Sequence, residues 1–381
     1  MHLFISAGEP SGDLHGANLI KALSKRDPAV KCVGFGGDKM EAAGCRLLFP
    51  LTKLAVMGLL GAIVNIFSFL RLTNRARDYF RDEKPDAVIL IDFPGFHWGL
   101  AKRAYALGIP VYYFVPPQIW AWKSGRVKKM KKWVTHVLSA LPFEDEWFRQ
   151  RGVKSDYIGH PYFDELASQK LDPLFMSEQR EHAGRAIALL PGSRMGEVTK
   201  NLASMLEAAA IVHRKHPDTR FLIASFNEIQ ADIARGLIAG KNLPVQVHVG
   251  RTPEIIEMAT ACISVSGSVS LEMMYRLKPA VIVYRVGRVF LFLARQMVHC
   301  KYMTLVNLLA DKAIYPEIAT TGNPAAWLAE RVLIWLDDPA KTEMVRRALE
   351  EVRDRVAQPG ACDRAAVLLL ERVDGRKSLA A

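Results

Sequence analysis

Cysteine is scarce in the sequence and never closely paired. The five cysteines among 381 residues (Cys32, Cys45, Cys262, Cys300 and Cys362) are scattered, odd in number and without CxxC spacing. They suggest neither a disulfide framework nor a zinc site, and they fit a reducing compartment. No GxxxxGK[ST] stretch is present, which argues against an ATPase phosphate loop. No internal repeat or low-complexity tract occurs. Acidic residues are in deficit, 39 against 51 Lys and Arg, so the formal charge is +12 and the long-range field favours anionic partners: phosphorylated substrates, acidic lipid surfaces or nucleic acid. One uncharged run is "LAVMGLLGAIVNIFSFL" (54–70), flanked by Lys53 and Arg71 and at the lower limit for spanning a bilayer. Its position within a βα pattern predicts a helix that is buried or dips into lipid, not one that crosses. The opening "MHLFIS" lacks the basic region and cleavage site of a signal peptide, so a cytoplasmic protein is expected.

What is present is alternation. Apolar runs of strand length fall at 2–6, 31–34, 87–92, 111–115, 135–140 and 156–159, with helix-length segments between them. The pattern restarts with runs at 186–190, 220–225, 245–249, 261–266 and 280–284. This is the signature of parallel βαβ units. The expected fold class is α/β, with two doubly wound Rossmann-like domains facing a central cleft and a helical C-terminus. Residues 1–167 form the expected N-terminal domain, the polar, Pro-containing segment 168–184 a linker, and 185–340 the C-terminal domain. The helices of 341–381 are expected to pack back on the N-terminal domain or on a partner subunit.

The polar constellations stand at the carboxyl ends of predicted strands, where open α/β sheets bind ligands. "AIALLPGSRMGEV" sets Gly192, Ser193 and Arg194 between a strand and a helix. Backbone N–H groups and the helix dipole can receive an anion there, and a guanidinium can add a bidentate phosphate contact. "ISVSGSVSLEMM" repeats the arrangement with Ser266, Gly267 and Ser268, followed by Glu272, a carboxylate placed to accept from vicinal sugar hydroxyls or to complement the helix N-terminus. Two anion-receiving loops with a ribose-type carboxylate suggest a nucleoside diphosphate. In the first half, "SAGEPSGDLHG" has no Lys and carries Glu9 and Asp13; acids would repel a pyrophosphate, so this loop is expected to face a hydroxyl-bearing sugar. "LIDFPGFHW" ends a strongly apolar strand on Asp92, where apolar walls raise carboxylate basicity and suit a general base.

Taken in order, the stretches "SAGEPSGD" (6–13), "LAVMG" (54–58), "IDFPGF" (91–96), "PPQIWAWK" (116–123), "LPFE" (141–144), "IGHP" (158–161), "LLPGSR" (189–194), "SGSVSLE" (266–272) and "NLLA" (307–310) resemble the lipid-A-disaccharide synthase family. Its members are inverting, metal-independent glycosyltransferases of the GT-B fold. The resemblance implies transfer of 2,3-diacylglucosamine from its UDP derivative to the 6-hydroxyl of 2,3-diacylglucosamine 1-phosphate, giving a β-1,6-linked disaccharide 1-phosphate and UDP. It implies that Glu9, Asp92, Arg194 and Asn307 serve activity, with Asp92 as base, and that the loops around Gly192 and Ser266 hold UDP. No cofactor and no metal ligand are expected, in agreement with the lack of any Asp-x-Asp pair. Family members commonly associate as dimers, so a homodimer is an expectation.

The sequence departs from the family pattern near the implied acceptor site. Gly95 and His97 stand where Asp and Asn are usual, and Val306 where Pro is usual before Asn307. His97 is therefore expected to fill a hydrogen-bonding position or to join the catalytic groups. Acylated substrates must be drawn from a membrane, so the cytoplasmic face of the inner membrane is an expected partner. "WAWKSGRVKKMKKW" (120–133), six basic residues among three tryptophans, suits an anionic membrane surface, although the same composition can bind nucleic acid. No nucleic-acid partner is expected. A UDP-sugar 2-epimerase on the same fold would also use the UDP loops but has no need of the greasy helix. A non-enzymatic binding protein would explain the charge but not the paired loops.

Overall fold

In the computed structural model, which describes residues 1–55, 66–288, 291–292 and 300–380, the chain divides into two compact units: Met1–Ala167 with Gln358–Ala381, and Ser168–Ala357. Much of the uncharged run 54–70 thus lies outside the described residues.

The first unit is built on a seven-stranded sheet in the order β3-β2-β1-β4-β5-β6-β7. Its strands are β1 His2–Ala7, β2 Lys31–Phe35, β3 Arg46–Phe49, β4 Ala87–Ile91, β5 Val111–Phe114, β6 His136–Ser139 and β7 Ser155–Tyr157. Its neighbouring strands pair in parallel. Helices cover both faces, which is why the central strands read as unbroken apolar runs. Side chains alternate between two cores. Leu3, Ile5, Ile89 and Ile91 join the helices Pro10–Arg26 and Ala361–Ala380 on one face. Phe4, Val88 and Leu90 join the helices Ile66–Glu83 and Pro94–Ala106 on the other. The chain's last helix is fixed at its start by Asp164, whose carboxylate accepts from the backbone N–H groups of Gly360, Ala361 and Cys362 at 2.5, 3.1 and 2.8 Å.

The second unit has a six-stranded sheet in the order β10-β9-β8-β11-β12-β13. Its strands are β8 Arg185–Leu190, β9 Thr219–Ser225, β10 Val245–Val249, β11 Ala261–Val265, β12 Ala280–Arg285 and β13 Glu317–Thr320, again paired in parallel.

Three details differ from the sequence reading. Strands β3 and β13 were not anticipated. Both are four-residue edge strands, half-exposed, and therefore without the continuous apolar signal of a central strand. The expected linker 168–184 contains the helix Pro173–Glu181, which buries Phe175 and Met176 and belongs to the second unit. Asp172 caps it by accepting from Leu174 N and Phe175 N. Pro173 is a start signal here, not a breaker, because the first helical position needs no N–H donor. Of the C-terminal helices, Pro339–Val356 stays with the second unit, and only the segment from Gln358 joins the first.

Candidate active site

In each sheet the strand order reverses at its centre, between β1 and β4 in the first unit and between β8 and β11 in the second. Loops leaving adjacent strands at such a switch point diverge and open a crevice. Apart from Asn307, which lies between β12 and β13, the polar residues singled out from the sequence stand on those four loops or on the helices that follow them.

In the first unit, Glu9 occupies the N-cap position of the helix Pro10–Arg26, directly beyond β1. Gly8 beside it allows the β1 loop to meet the β4 loop, since a Cβ there would lie 2.2 Å from the Phe93 ring. Asp13 does not face outward as expected. It is buried, and its carboxylate accepts from the N–H groups of Gly37, Lys39 and Met40 at 2.8, 3.1 and 3.1 Å, capping the short helix Asp38–Ala42. It is a structural cap.

Asp92 follows β4 with φ +47, and Phe93 has φ +46, so two successive side-chain-bearing residues are left-handed. The Asp92 carbonyl accepts from the Tyr113 hydroxyl at 2.6 Å and from His97 Nδ1 at 2.7 Å, and its N–H donates to the Val115 carbonyl at 3.2 Å. The other His97 nitrogen, Nε2, meets Ser6 Oγ at 2.9 Å. His97 is wholly buried, and burial, only partly offset by its bond to the Asp92 carbonyl, holds its pKa down to about 4. With both ring nitrogens committed inside the protein, His97 fills a hydrogen-bonding position and is removed from the catalytic candidates.

At the end of β6, Glu144 is buried and accepts from the Trp120 indole N–H at 2.9 Å and from Ala140 N at 3.2 Å. Burial pushes its pKa up to about 8, against the lowering effect of those hydrogen bonds and with a small further push from Asp92. This pair ties the loop after β5 to the end of β6.

In the second unit, Gly192 leaves β8 with φ +109, a conformation that favours glycine. The Ser193 carbonyl accepts from Gln230 Nε2 at 2.8 Å. Arg194 is the N-cap of the 21-residue helix Met195–Lys215; its side chain is 70% exposed, with Nη1 3.5 Å from Glu197 Oε1. Beyond β11, the Ser266 hydroxyl donates to Met303 O at 3.3 Å, and the Gly267 carbonyl accepts from Ser270 Oγ at 2.8 Å. Ser268 is the N-cap of the helix Val269–Tyr275. Glu272 is only 3% exposed and accepts from Arg276 Nε at 3.2 Å.

Asn307 corrects another expectation. Its side chain is fully buried; Oδ1 accepts from Ile314 N and Tyr315 N at 2.9 Å each, and Nδ2 donates to Tyr315 O at 2.8 Å and Glu317 Oε2 at 3.1 Å. Two donors and two acceptors are all an amide has, so Asn307 organises the turn ahead of β13 and has no capacity left for a substrate. Glu317 completes that turn by accepting from Met303 N, Thr304 N and Thr304 Oγ1, which places it under the carbonyl that holds Ser266.

Several groups escaped the sequence reading. Ser6, Trp120 and Glu144 lie within quoted stretches, but their buried partners are 24 or more positions away in the chain; Glu317 lies outside every quoted stretch. Tyr113 gave no signal at all, being one aromatic in an apolar run. Among the described residues, no group of three or more His, Cys, Asp or Glu is placed to hold a metal ion.

Compared with known proteins, residues 3–371 match a family model described as Lipid-A-disaccharide synthetase. The lipid-A-disaccharide synthase of Syntrophus aciditrophicus (strain SB) is 35% identical over 371 residues, covering 97% of each chain. That of Myxococcus xanthus (strain DK1622) is 34% identical over 375 residues, again covering 97% of each. Among solved structures, UDP-GlcNAc 2-epimerase from Neisseria meningitidis bound to UDP-GlcNAc has a TM-score of 0.62 at 14% identity, with 98% of each chain covered. CalG4, the calicheamicin glycosyltransferase, has a TM-score of 0.62 at 15% identity, with the same coverage. At such identities the structural likeness establishes the fold alone, the GT-B arrangement anticipated from the sequence.

Proposed function

The chain belongs to the lipid-A-disaccharide synthetase family, and from that premise we propose that it transfers 2,3-diacylglucosamine from its UDP derivative to the 6-hydroxyl of 2,3-diacylglucosamine 1-phosphate, in lipid A biosynthesis. The observation that carries the assignment of parts is the distribution of chemistry between the two switch points: carboxylates beside β1 and β4, anion-receiving loops beside β8 and β11. Asp92 takes the proton from the acceptor hydroxyl as its oxygen attacks the donor's anomeric carbon. The bond from that carbon to the diphosphate breaks, and UDP leaves with the electron pair. Arg194 and the backbone N–H groups of the Gly192 and Ser266 loops stabilise the charge that develops on the diphosphate. Glu9 contributes to the sugar side. Glu272 holds its helix through Arg276, and Asn307 acts through the turn that steadies Ser266.

Incubating the purified protein with the UDP-diacylglucosamine donor, with and without the acylated 1-phosphate acceptor, tests the reaction. UDP release that requires acceptor is expected. Conversion of the donor to its 2-epimer without acceptor would favour an isomerase and sink the transferase reading.

Acylated substrates also call for a lipid surface, and we assign it to one face of the first unit, turned to the cytoplasmic side of the inner membrane. Among the described residues, no helix is long and apolar enough to cross a membrane. The helices Ile66–Glu83 and Val127–Trp133 both pack against Pro94–Ala106. The first exposes Phe67 (71%) and Leu70; the second exposes Lys128, Lys129, Lys131 and Lys132. Of the three tryptophans interleaved with the basic residues, Trp122 is exposed beneath Lys123 and Arg126, whereas Trp120 is bonded to Glu144 and Trp133 packs on the core. Phe69 also packs inward, against Phe93 and Phe96. Binding to anionic vesicles should therefore weaken with salt and yet persist, because screening removes only the charged part. Replacing Arg126, Lys128, Lys129, Lys131 and Lys132 by Gln should remove the salt-sensitive part, and Phe67→Ser with Leu70→Ser the remainder, both read by co-sedimentation. Unchanged binding of the Ser variant would leave the basic helix as the membrane contact.

A further inference from the structure

The end of β4 is held in a conformation that its residues disfavour. Asp92 and Phe93 are left-handed in succession, and Val115, at the end of the neighbouring β5, has φ +51. Glycine would adopt these angles freely; an aspartate, a phenylalanine and above all a β-branched valine do so against a steric cost. Gly95 lies close by in the sequence but at none of these positions. Such a backbone persists only when its surroundings fix it, and here the fixing groups are identifiable.

Both lone pairs of the Asp92 carbonyl are used. The Tyr113 hydroxyl donates to it at 2.6 Å and His97 Nδ1 at 2.7 Å. A carbonyl can only accept, so Nδ1 carries the ring proton, and the bare Nε2 accepts from the Ser6 hydroxyl at 2.9 Å. One neutral tautomer satisfies every partner. Ser6, His97 and Tyr113 are all wholly buried, so no water competes for these bonds. On the opposite side of the same peptide chain, Asp92 N–H donates to Val115 O, and His97 N–H donates to Phe93 O. The Phe93 ring lies over Gly8 in the one place where a side chain on residue 8 would collide with it. A swing of residues 92–93 to extended geometry would break the two carbonyl bonds and lift Phe93 from its seat.

This arrangement spends buried polar groups on the main chain of one residue, and that residue is the one assigned as base. We propose that Tyr113, His97 and Ser6 form a positioning clamp that acts on the reaction only through Asp92, fixing its backbone so that the carboxylate is presented to the acceptor hydroxyl. The clamp rests on the reading of Asp92 as base. None of its three side chains is assigned to substrate contact; Tyr113 and His97 grip the carbonyl, and Ser6 sets the ring of His97.

Kinetic coupling separates a positioning role from a structural one. Tyr113→Phe keeps the ring and removes only the hydroxyl. It is expected to lower kcat about 10- to 100-fold, the scale of loss for an ångström-sized misplacement, with KM for the acceptor and UDP affinity within about twofold of wild type. In the Asp92→Asn background the same change should cost nothing further, because a clamp has no effect without the carboxylate it aims. His97→Ala should behave alike, and His97→Asn, which retains a donor, should recover part of the loss. If Tyr113→Phe fails to fold, Ser6→Ala carries the same cycle with a smaller loss. Wild-type kcat in Tyr113→Phe, or losses that multiply with Asp92→Asn, would overturn the clamp. Near-normal turnover in Asp92→Asn alone would instead overturn the base assignment, and the clamp with it.

Discussion

Asp92→Asn should reduce turnover about 10²- to 10⁴-fold, the usual cost of losing a general base, while UDP binds with unchanged affinity. The substitution is unusually clean here. The groups gripping residue 92 bond its carbonyl and its N–H, and these survive any change of side chain. Asparagine also tolerates the left-handed region at least as well as aspartate, so the turn that ends β4 is preserved while the proton acceptor is lost. The donor's diphosphate is assigned to loops of the second unit, which is why its binding should not move. Steady-state kinetics with the acylated 1-phosphate acceptor, beside calorimetry with UDP, reads both quantities. Near-normal turnover would remove Asp92 as base and make Glu9 the leading candidate. His97 would not inherit the role, since its ring nitrogens are committed to Asp92 O and Ser6.

How much of this was legible in the sequence depends on where a residue's partners come from. The strands of the sheet centres were plain, because β1, β4, β8 and β11 are buried on both faces and read as apolar runs. The edges β3 and β13 were not, because half-exposed strands of four residues carry no such signal. Asp92 and Arg194 could be singled out because a strand followed by a turn and a helix announces its own carboxyl end. Asp13 misled: an acid on a glycine-rich loop looks available, and only the fold brings the three N–H groups of 37–40 to it. Asn307 misled in the same way, its four partners lying 7 to 10 positions along the chain in a turn with no regular period. Tyr113 was invisible, since nothing in "VYYFV" tells which aromatic hydroxyl meets a carbonyl 21 positions earlier.

Arg194→Ala should weaken UDP binding about 10- to 100-fold, the loss expected when charge-assisted hydrogen bonds of about 1.5–3 kcal/mol are removed. The guanidinium stands at the N-cap of the helix Met195–Lys215 with most of its surface exposed, and its link to Glu197 is loose at 3.5 Å. A pair of that length with an exposed guanidinium is weak, and a diphosphate offers the guanidinium two charged oxygens in place of one distant carboxylate oxygen. Arg194→Lys should recover only part of it, because an ammonium supplies charge without the planar fork. Glu9→Ala, on the first unit, should leave UDP affinity within about twofold. Glu272→Ala is different in kind: it strips the buried Arg276 of one of two carboxylates, Glu257 being the other, so its effect should appear first as a lower melting temperature. Calorimetry with UDP alone, together with thermal unfolding of each variant, separates the three. If Glu9→Ala weakens UDP as much as Arg194→Ala does, the division of sugar and nucleotide chemistry between the two units is wrong.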